Sequence, residues 1–427
     1  MALYNDVIEI EGGQTPKGEV TVSGAKNSAT RLLAAATLCD EEVVLTGYPT
    51  NLVDSKHKER FLNNNGVLTK SENDTLVIDS KDYTPKHLDD YFYPIRTTYL
   101  LVAGQLKRSD VAYIPYPGGC NIGARKYDVH IAIWEEFGCK VEEKENHIEI
   151  HRPEKLLATQ YEFPISTVGG TENALLMASI AEGISTFANA YITPEIEDLI
   201  AFLRRSGVEI EVIGQSSIKV TGCSYLKGHQ YHVLPDRIEA LTWLIYGAIS
   251  GGSILIKNVP FDSMEIPLMY LRNAGVDFFQ NSESIYINTS CMKDGHAHSF
   301  EVACGTHPGI ISDMQPFYVM LGLMSIGKSR IHDYRYPKRV SYVEELQKFV
   351  NLQLEFEEGK ITTNGPVTFN SADAVATDLR GTMAAVLAAL CAPSGLSRIT
   401  GVSMALRGYN NLEAKLEQLG VKVDYKG

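Results

Sequence analysis

The absences in this chain narrow it first. No apolar run approaches the roughly 20 residues a membrane span needs, and the opening stretch MALYNDVIEIEGG has neither a basic nor a hydrophobic segment. Neither a membrane anchor nor a signal peptide is therefore expected. Positive charge is scarce: 39 lysines and arginines face 52 aspartates and glutamates, a net charge of −13. That balance argues against a nucleic-acid surface, but a few cations focused in a cleft still suffice for a small anion. The seven cysteines are scattered, odd in number and never spaced CxxC, which fits free thiols in a reducing cytoplasm. The histidines are scattered too, with no HExxH and no paired-carboxylate spacing, so no metal site is expected.

What is present is a repeat. Six times a polar residue opens an apolar helical stretch, as in SGAKNSATRLLAAATL, PIRTTYLLVAGQL, GGTENALLMASIAEG, PDRIEALTWLIYGAI, SDMQPFYVMLGLMSIG and TDLRGTMAAVLAALCA. Each is followed by a β-rich stretch, and five by a second helix that ends near a glycine-containing turn. The markers Lys26, Arg96, Glu172, Arg237, Asp313 and Arg380 are 70, 76, 65, 76 and 67 residues apart. Units of this length are too long for a simple solenoid, and 427 residues exceed one core. The reading is an α/β chain of six βαβαβ-like units, three in each of two domains. Helices apolar almost all round are expected to be buried, with the sheets outward. The boundary falls at HVLPDRIEA, giving a first domain of 24–234 and a second of 1–23 plus 235–427. The first strand, DVIEIEGG, is expected to pair with the C-terminal unit. The polar stretch SKHKERFLNNNG reads as a solvated helix and turn.

Lys26, Arg96, Arg237 and Arg380 place cations where a helix dipole is already positive, an arrangement suited to a bound anion. The sharpest local signal is Pro117-Gly118-Gly119-Cys120-Asn121-Ile122-Gly123-Ala124-Arg125. Its glycines permit closure over a ligand, and Arg125 near Cys120 favours a reactive thiol. A hairpin loop with an incidental cysteine is the other reading of the same residues. Cys39, Cys139, Cys223, Cys291, Cys304 and Cys391 sit in apolar or strand contexts and read as inert.

Eight segments, in order, resemble the enolpyruvyl transferases of the UDP-N-acetylglucosamine 1-carboxyvinyltransferase family. They are GAKNSA (24–29), PGGCNIGAR (117–125) with Asp128 and His130, VGGTEN (168–173), PEIEDL (194–199), PDRIEA (235–240), SDMQP (312–316), DLR (378–380) and RGY (407–409). The resemblance implies an inside-out α/β barrel pair and transfer of enolpyruvyl from phosphoenolpyruvate to a sugar hydroxyl, with release of phosphate. It implies Cys120 as the acid and Asp313 as the carboxylate beside the reacting hydroxyl, with Lys26 and Arg407 also catalytic. Lys26, Arg96, Arg125, Arg339, Arg380 and Arg407 are implied to grip phosphoenolpyruvate, with Arg335 the competitor for the place of Arg339. Asn27, Arg96, Arg125, Asp128, His130, Ser166, Val168, Gly169 and Asp313 are implied to contact the uridine nucleotide sugar. Glu195, Asp236 and Glu239 border the cleft in supporting roles. No metal or organic cofactor is implied, and the partners are these two substrates rather than nucleic acid or a membrane.

Departures cluster at the acceptor end. Arg125-Lys126-Tyr127-Asp128 stands where the family reads Arg-Pro-Val-Asp, and Tyr342 stands where a histidine is common. SMALRGYNN and residues 48–65 also drift from the pattern. Two alternatives follow: a paralogue acting on another uridine nucleotide in specialised metabolism, and a non-catalytic nucleotide-binding paralogue. Retention of Lys26, Cys120, Arg125, Asp313 and Arg407 together speaks against the second. The shikimate-pathway transferase lacks the PGGCNIGAR loop and PDRIEA, and RNA phosphate cyclases are disfavoured by the acidic balance.

Overall fold

Three sheets and their helices make up each of two compact units in the computed structural model, which describes residues 6–88, 95–116 and 127–426. The loop 117–126, with Cys120, Arg125 and Lys126, lies outside the described residues. The described part of the first unit is 24–88, 95–116 and 127–234, and of the second 6–23 with 235–426. Each has its own apolar core, one built from Ala29 to Val233 and the other from Ile8 to Val22 and Ile238 to Val421.

The helices are α1 (Lys26–Ala36), α2 (Val53–Asn64), α3 (Val102–Arg108), α4 (Asp128–Glu136), α5 (Val168–Ile180), α6 (Pro194–Arg205), α7 (Arg237–Ser250), α8 (Glu265–Asn273), α9 (Gln315–Leu323), α10 (Ser341–Gln347), α11 (Leu379–Leu390), α12 (Ser403–Leu406) and α13 (Leu412–Gln418). The leading helix of each repeat is buried nearly all round. All 12 residues of α11, all 9 of α9 and 13 of the 14 of α7 are inside. Uniformly apolar sequences such as AAVLAAL leave no face for water, so these helices become the core. The strands alternate instead. Val43–Thr46, Thr75–Asp79, His147–His151 and Ser253–Lys257 each bury every second side chain, as expected when one face meets helices and the other meets solvent. This is the inside-out α/β architecture. Among the described residues the six sheets stay separate, and no closed barrel forms.

Most sheets contain one parallel pair that closes a repeat, such as Gln230–His232 on Val43–Thr46 and Lys17–Thr21 on Ser253–Lys257. The strand Val7–Glu11 joins the last sheet, antiparallel to both Leu396–Thr400 and Val423–Lys426. It pairs with the C-terminal repeat, as its place ahead of the first repeat suggests.

One expectation holds for one face only. SKHKERFLNNNG does form a helix with Lys56, Arg60, Asn63 and Asn64 exposed, but Asp54, Ser55, Lys58 and Glu59 of α2 are buried. Asp54 and Lys58 meet partners on α1 rather than water. No helix among the described residues is long and apolar enough to cross a membrane.

Candidate active site

The repeat markers fall at helix starts because polar residues end the strand-to-helix connection and apolar ones follow. Lys26 and Arg237 are the first residues of α1 and α7, and Arg380 is the second of α11. Arg96 opens the 3-10 turn Arg96–Leu101 that leads into α3, and Asp313 lies in the turn Ser312–Met314 that leads into α9. Glu172 differs: α5 begins at Val168, so Glu172 sits one turn inside and is 1% exposed.

In the second unit three carboxylates and two arginines form one buried network. Arg339 donates from Nη1 to Asp313 Oδ1 at 2.8 Å and from Nη2 to Asp378 Oδ1 at 2.6 Å. Arg380 lies with Nε 3.6 Å from the other oxygen of Asp313 and Nη2 3.9 Å from Asp236. Its guanidinium carbon stands 5.1 Å from the centroid of the Tyr409 ring, whose hydroxyl pairs with Thr242 Oγ1 at 2.9 Å. Both arginines are almost wholly buried, whereas the Asp313 side chain is 33% exposed. Asp313 is thus the member of the network that reaches the surface. Asp236 and Asp378 also cap their helices: Asp236 accepts from the Ile238 and Glu239 N–H groups, and Asp378 from those of Arg380 and Gly381. Burial pushes the Asp236 carboxyl up, against the pull of Arg380.

Both outer nitrogens of Arg339 are therefore committed to carboxylates, so it holds Asp313 in place rather than offering an open fork. Arg335 is half-buried, with its main-chain N–H on Asp333 Oδ1 at 3.0 Å. Arg407 is 3% exposed and follows α12, with Nη1 3.9 Å from the Met404 sulfur. Glu239 is buried on Lys415, Trp243 Nε1 and the Ser23 N–H, a structural role. Tyr342, the residue in place of the family's histidine, is buried against Gly381 at the start of α11.

In the first unit Lys26 Nζ lies 3.4 Å from Asp54 Oδ2, with the lysine side chain 20% exposed. Asn27 is half-buried next to it. The guanidinium of Arg96 stands 5.7 Å from the centroid of the Tyr127 ring. His130 is 1% exposed, its ring stacked on Tyr99 at 3.7 Å and 5.2 Å from that of Tyr127. Burial, with Arg96 adding to it, drives His130 down to about 3, so the imidazole is neutral at physiological pH. Gly169 packs tightly here: a Cβ would lie 3.0 Å from the His130 ring and 3.2 Å from the Tyr99 hydroxyl. Val168 and Ser166 flank it, half-buried, and Asp128 is exposed in the first turn of α4. Glu195 is buried in the first turn of α6.

Sequence reasoning missed a buried polar cluster here. Arg31 pairs with Glu172, and the Tyr99 hydroxyl donates to the same carboxylate. Lys58 donates to Thr30 Oγ1 at 2.6 Å. The available signal was a lone arginine or glutamate within an apolar run, as in TRLLAAA and TENALLMA. Cys39, Cys139 and Cys291 fit inert groups: burial pushes Cys39 and Cys291 up to about 11 and Cys139 to about 12. Among the described residues one trio, Glu142, Glu149 and His151, could bring metal-ligand atoms together. Lys140 and Lys144 already meet Glu142, each at 2.6 Å.

Solved structures share this architecture. The enolpyruvyl transferase NikO from Streptomyces tendae matches with a TM-score of 0.87 at 21% identity, over 99% of each chain. An EPSP synthase from Acinetobacter baumannii matches with a TM-score of 0.73 at 16% identity, over 99% of this chain and 100% of that one. The fold is that of the two-domain enolpyruvyl transferases. Sequence takes this further. A family model described as EPSP synthase (3-phosphoshikimate 1-carboxyvinyltransferase) matches residues 10–416. The UDP-N-acetylglucosamine 1-carboxyvinyltransferase of Helicobacter pylori is 34% identical over 98% of both chains. Those of Campylobacter fetus and Novosphingobium aromaticivorans are 34% and 33% identical, over 98% and 99% of this chain. The chain belongs to the EPSP synthase family and is an enolpyruvyl (carboxyvinyl) transferase.

Proposed function

We propose that this enzyme transfers enolpyruvyl from phosphoenolpyruvate to the 3-hydroxyl of UDP-N-acetylglucosamine and releases phosphate, the first committed step of peptidoglycan precursor synthesis in the cytoplasm. The observation that carries the reading is Asp313, a partly exposed carboxylate clasped by two buried arginines. The names of the full-length relatives supply the substrates.

In this scheme Asp313 accepts the proton of the sugar hydroxyl as its oxygen attacks C2 of phosphoenolpyruvate. Cys120, on the loop outside the described residues, gives a proton to C3. Loss of a proton from C3 then expels phosphate and restores the double bond. Lys26, Arg96, Arg125, Arg380 and Arg407 hold the phosphate and carboxylate, since guanidinium forks suit both geometries. Arg339 acts through Asp313, fixing the carboxylate orientation. Asn27, Arg96, Arg125, Asp128, His130, Ser166, Val168, Gly169 and Asp313 contact the nucleotide sugar.

A second reading changes only the acceptor. Tyr127 replaces the family's valine, and its ring lies against Arg96 and His130. Both readings are tested by phosphate release from phosphoenolpyruvate against a panel of uridine nucleotides. Turnover with UDP-N-acetylglucosamine supports the first. Turnover with another uridine nucleotide alone supports the second, and release with none would overturn both.

A further inference from the structure

Helices α1 and α2 present two i,i+4 pairs to one another, Lys26 with Thr30 and Asp54 with Lys58. The pairs meet in register. Lys26 Nζ lies 3.4 Å from Asp54 Oδ2, and Lys58 Nζ donates to Thr30 Oγ1 at 2.6 Å. Lys58 is therefore one helical turn behind the Lys26–Asp54 pair, and one turn separates Cβ atoms by about 5–6 Å. It is 2% exposed, and its hydrogen bond among the described residues goes to a neutral hydroxyl.

Among the described residues the charges acting most strongly on Lys58 are Asp54 from its own helix, Lys26 and Arg31 from α1, and Glu172 from α5, with the buried Glu59 next to it in sequence. Lys26 pairs with Asp54, and Arg31 with Glu172, so a charge on Lys58 would be added beside two ion pairs already formed. A buried ammonium with a single neutral acceptor is costly, and burial brings Lys58 down to about 7. An anion arriving at Lys26 changes that balance by competing with Asp54 for the Lys26 ammonium.

We propose that Lys58 is a positioning residue of the anion site, an amine that takes a proton from solvent when a phosphate-bearing substrate engages Lys26. Lys58 then faces Asp54, one turn away on the same helix, as a cation while Lys26 turns to the substrate. One N–H bond forms on Lys58 Nζ, and the buffer supplies the proton. This inference rests on the reading above, in which Lys26 grips phosphoenolpyruvate.

The test is the pH profile of the KM for phosphoenolpyruvate in the phosphate-release assay, from about pH 7.5 to 9, with wild type, Lys58→Met and Lys58→Gln. Proton uptake on phosphoenolpyruvate binding, from calorimetry in buffers of different ionisation heat, is the second readout. Wild-type KM is expected to rise by up to about tenfold per pH unit, with uptake of a substantial fraction of one proton. Both variants should show a KM near the wild-type alkaline value, flat with pH, and no such uptake. Methionine keeps the length of the side chain, and glutamine keeps a polar tip for Thr30. A variant with the wild-type slope and uptake would overturn the inference while phosphate release upheld the function. Absence of both turnover and binding in wild type would overturn the two together.

Discussion

Asp313 is one carboxylate shared by two arginines, and that sharing sets its chemistry. Asp313→Asn keeps the shape but loses the basicity and turns an NH2 toward one of the two arginines, so kcat should fall by about 10²–10⁴-fold. The KM for phosphoenolpyruvate should move only a fewfold, as read by phosphate release. Arg339→Met tests the other side of the contact. It strands Asp378, which is 1% exposed, as a buried charge without its partner. Removal of one member of such a pair costs about 3–5 kcal/mol, measurable by denaturant unfolding. Lys58 gives a stability signature of its own. Its folded pKa, about 7 by burial, lies below the ordinary lysine value of 10.5. Between those values the unfolded chain holds a proton that the folded chain does not. Stability should therefore rise with pH in that window, by at most about 1.4 kcal/mol per unit, and Lys58→Met should lack the rise in thermal scans. Lys26 and Arg380 were legible in the sequence because a charge opens an apolar helix. Lys58 was not, because nothing in KHKERF tells a solvated lysine from one facing Thr30 on another helix.

At the scale of elements, helix starts carry most of the candidate site, and two are capped by aspartates that also meet arginines. Asp378 serves both α11 and Arg339, so its two roles cannot be separated by charge alone. Gly381, in the first turn of α11, provides a cleaner test of packing there. A Cβ would lie 2.3 Å from the Tyr342 Cβ and 2.8 Å from Asp378 Oδ2. Gly381→Ala must push one of them, and overpacking of this kind costs about 1–3 kcal/mol, seen as a lowered Tm. Activity should fall with it, because Asp378 is what Arg339 leans on. The helices themselves were legible from uniform apolarity, and the strands from alternation. The depth of Glu172 within α5 was not, since Thr171 is as good a cap type as the true N-cap Thr167, which makes no side-chain cap hydrogen bond, and glycines at 169 and 170 read as a loop.

For the molecule as a whole, the chain returns to its start. Val7–Glu11 lies between two C-terminal strands, with Ile8 opposite both Ile399 and Tyr425, and Ile10 is fully buried. Deleting residues 6–11 should expose the edges of Leu396–Thr400 and Val423–Lys426. Amide exchange at Ile399 should accelerate sharply, while that at Leu176, in the other unit's core, should not. The sequence by itself determined the six-fold alternation, the burial of the leading helices and the cations at their starts. These depend on local periodicity and on charges beside apolar runs, both of which are short-range. Only the tertiary structure decided that Arg339 spends both outer nitrogens on Asp313 and Asp378, and that α2 turns Asp54 and Lys58 inward. Those contacts join residues 26 to 39 positions apart, and a charge's partner across such a gap is set by how the helices meet.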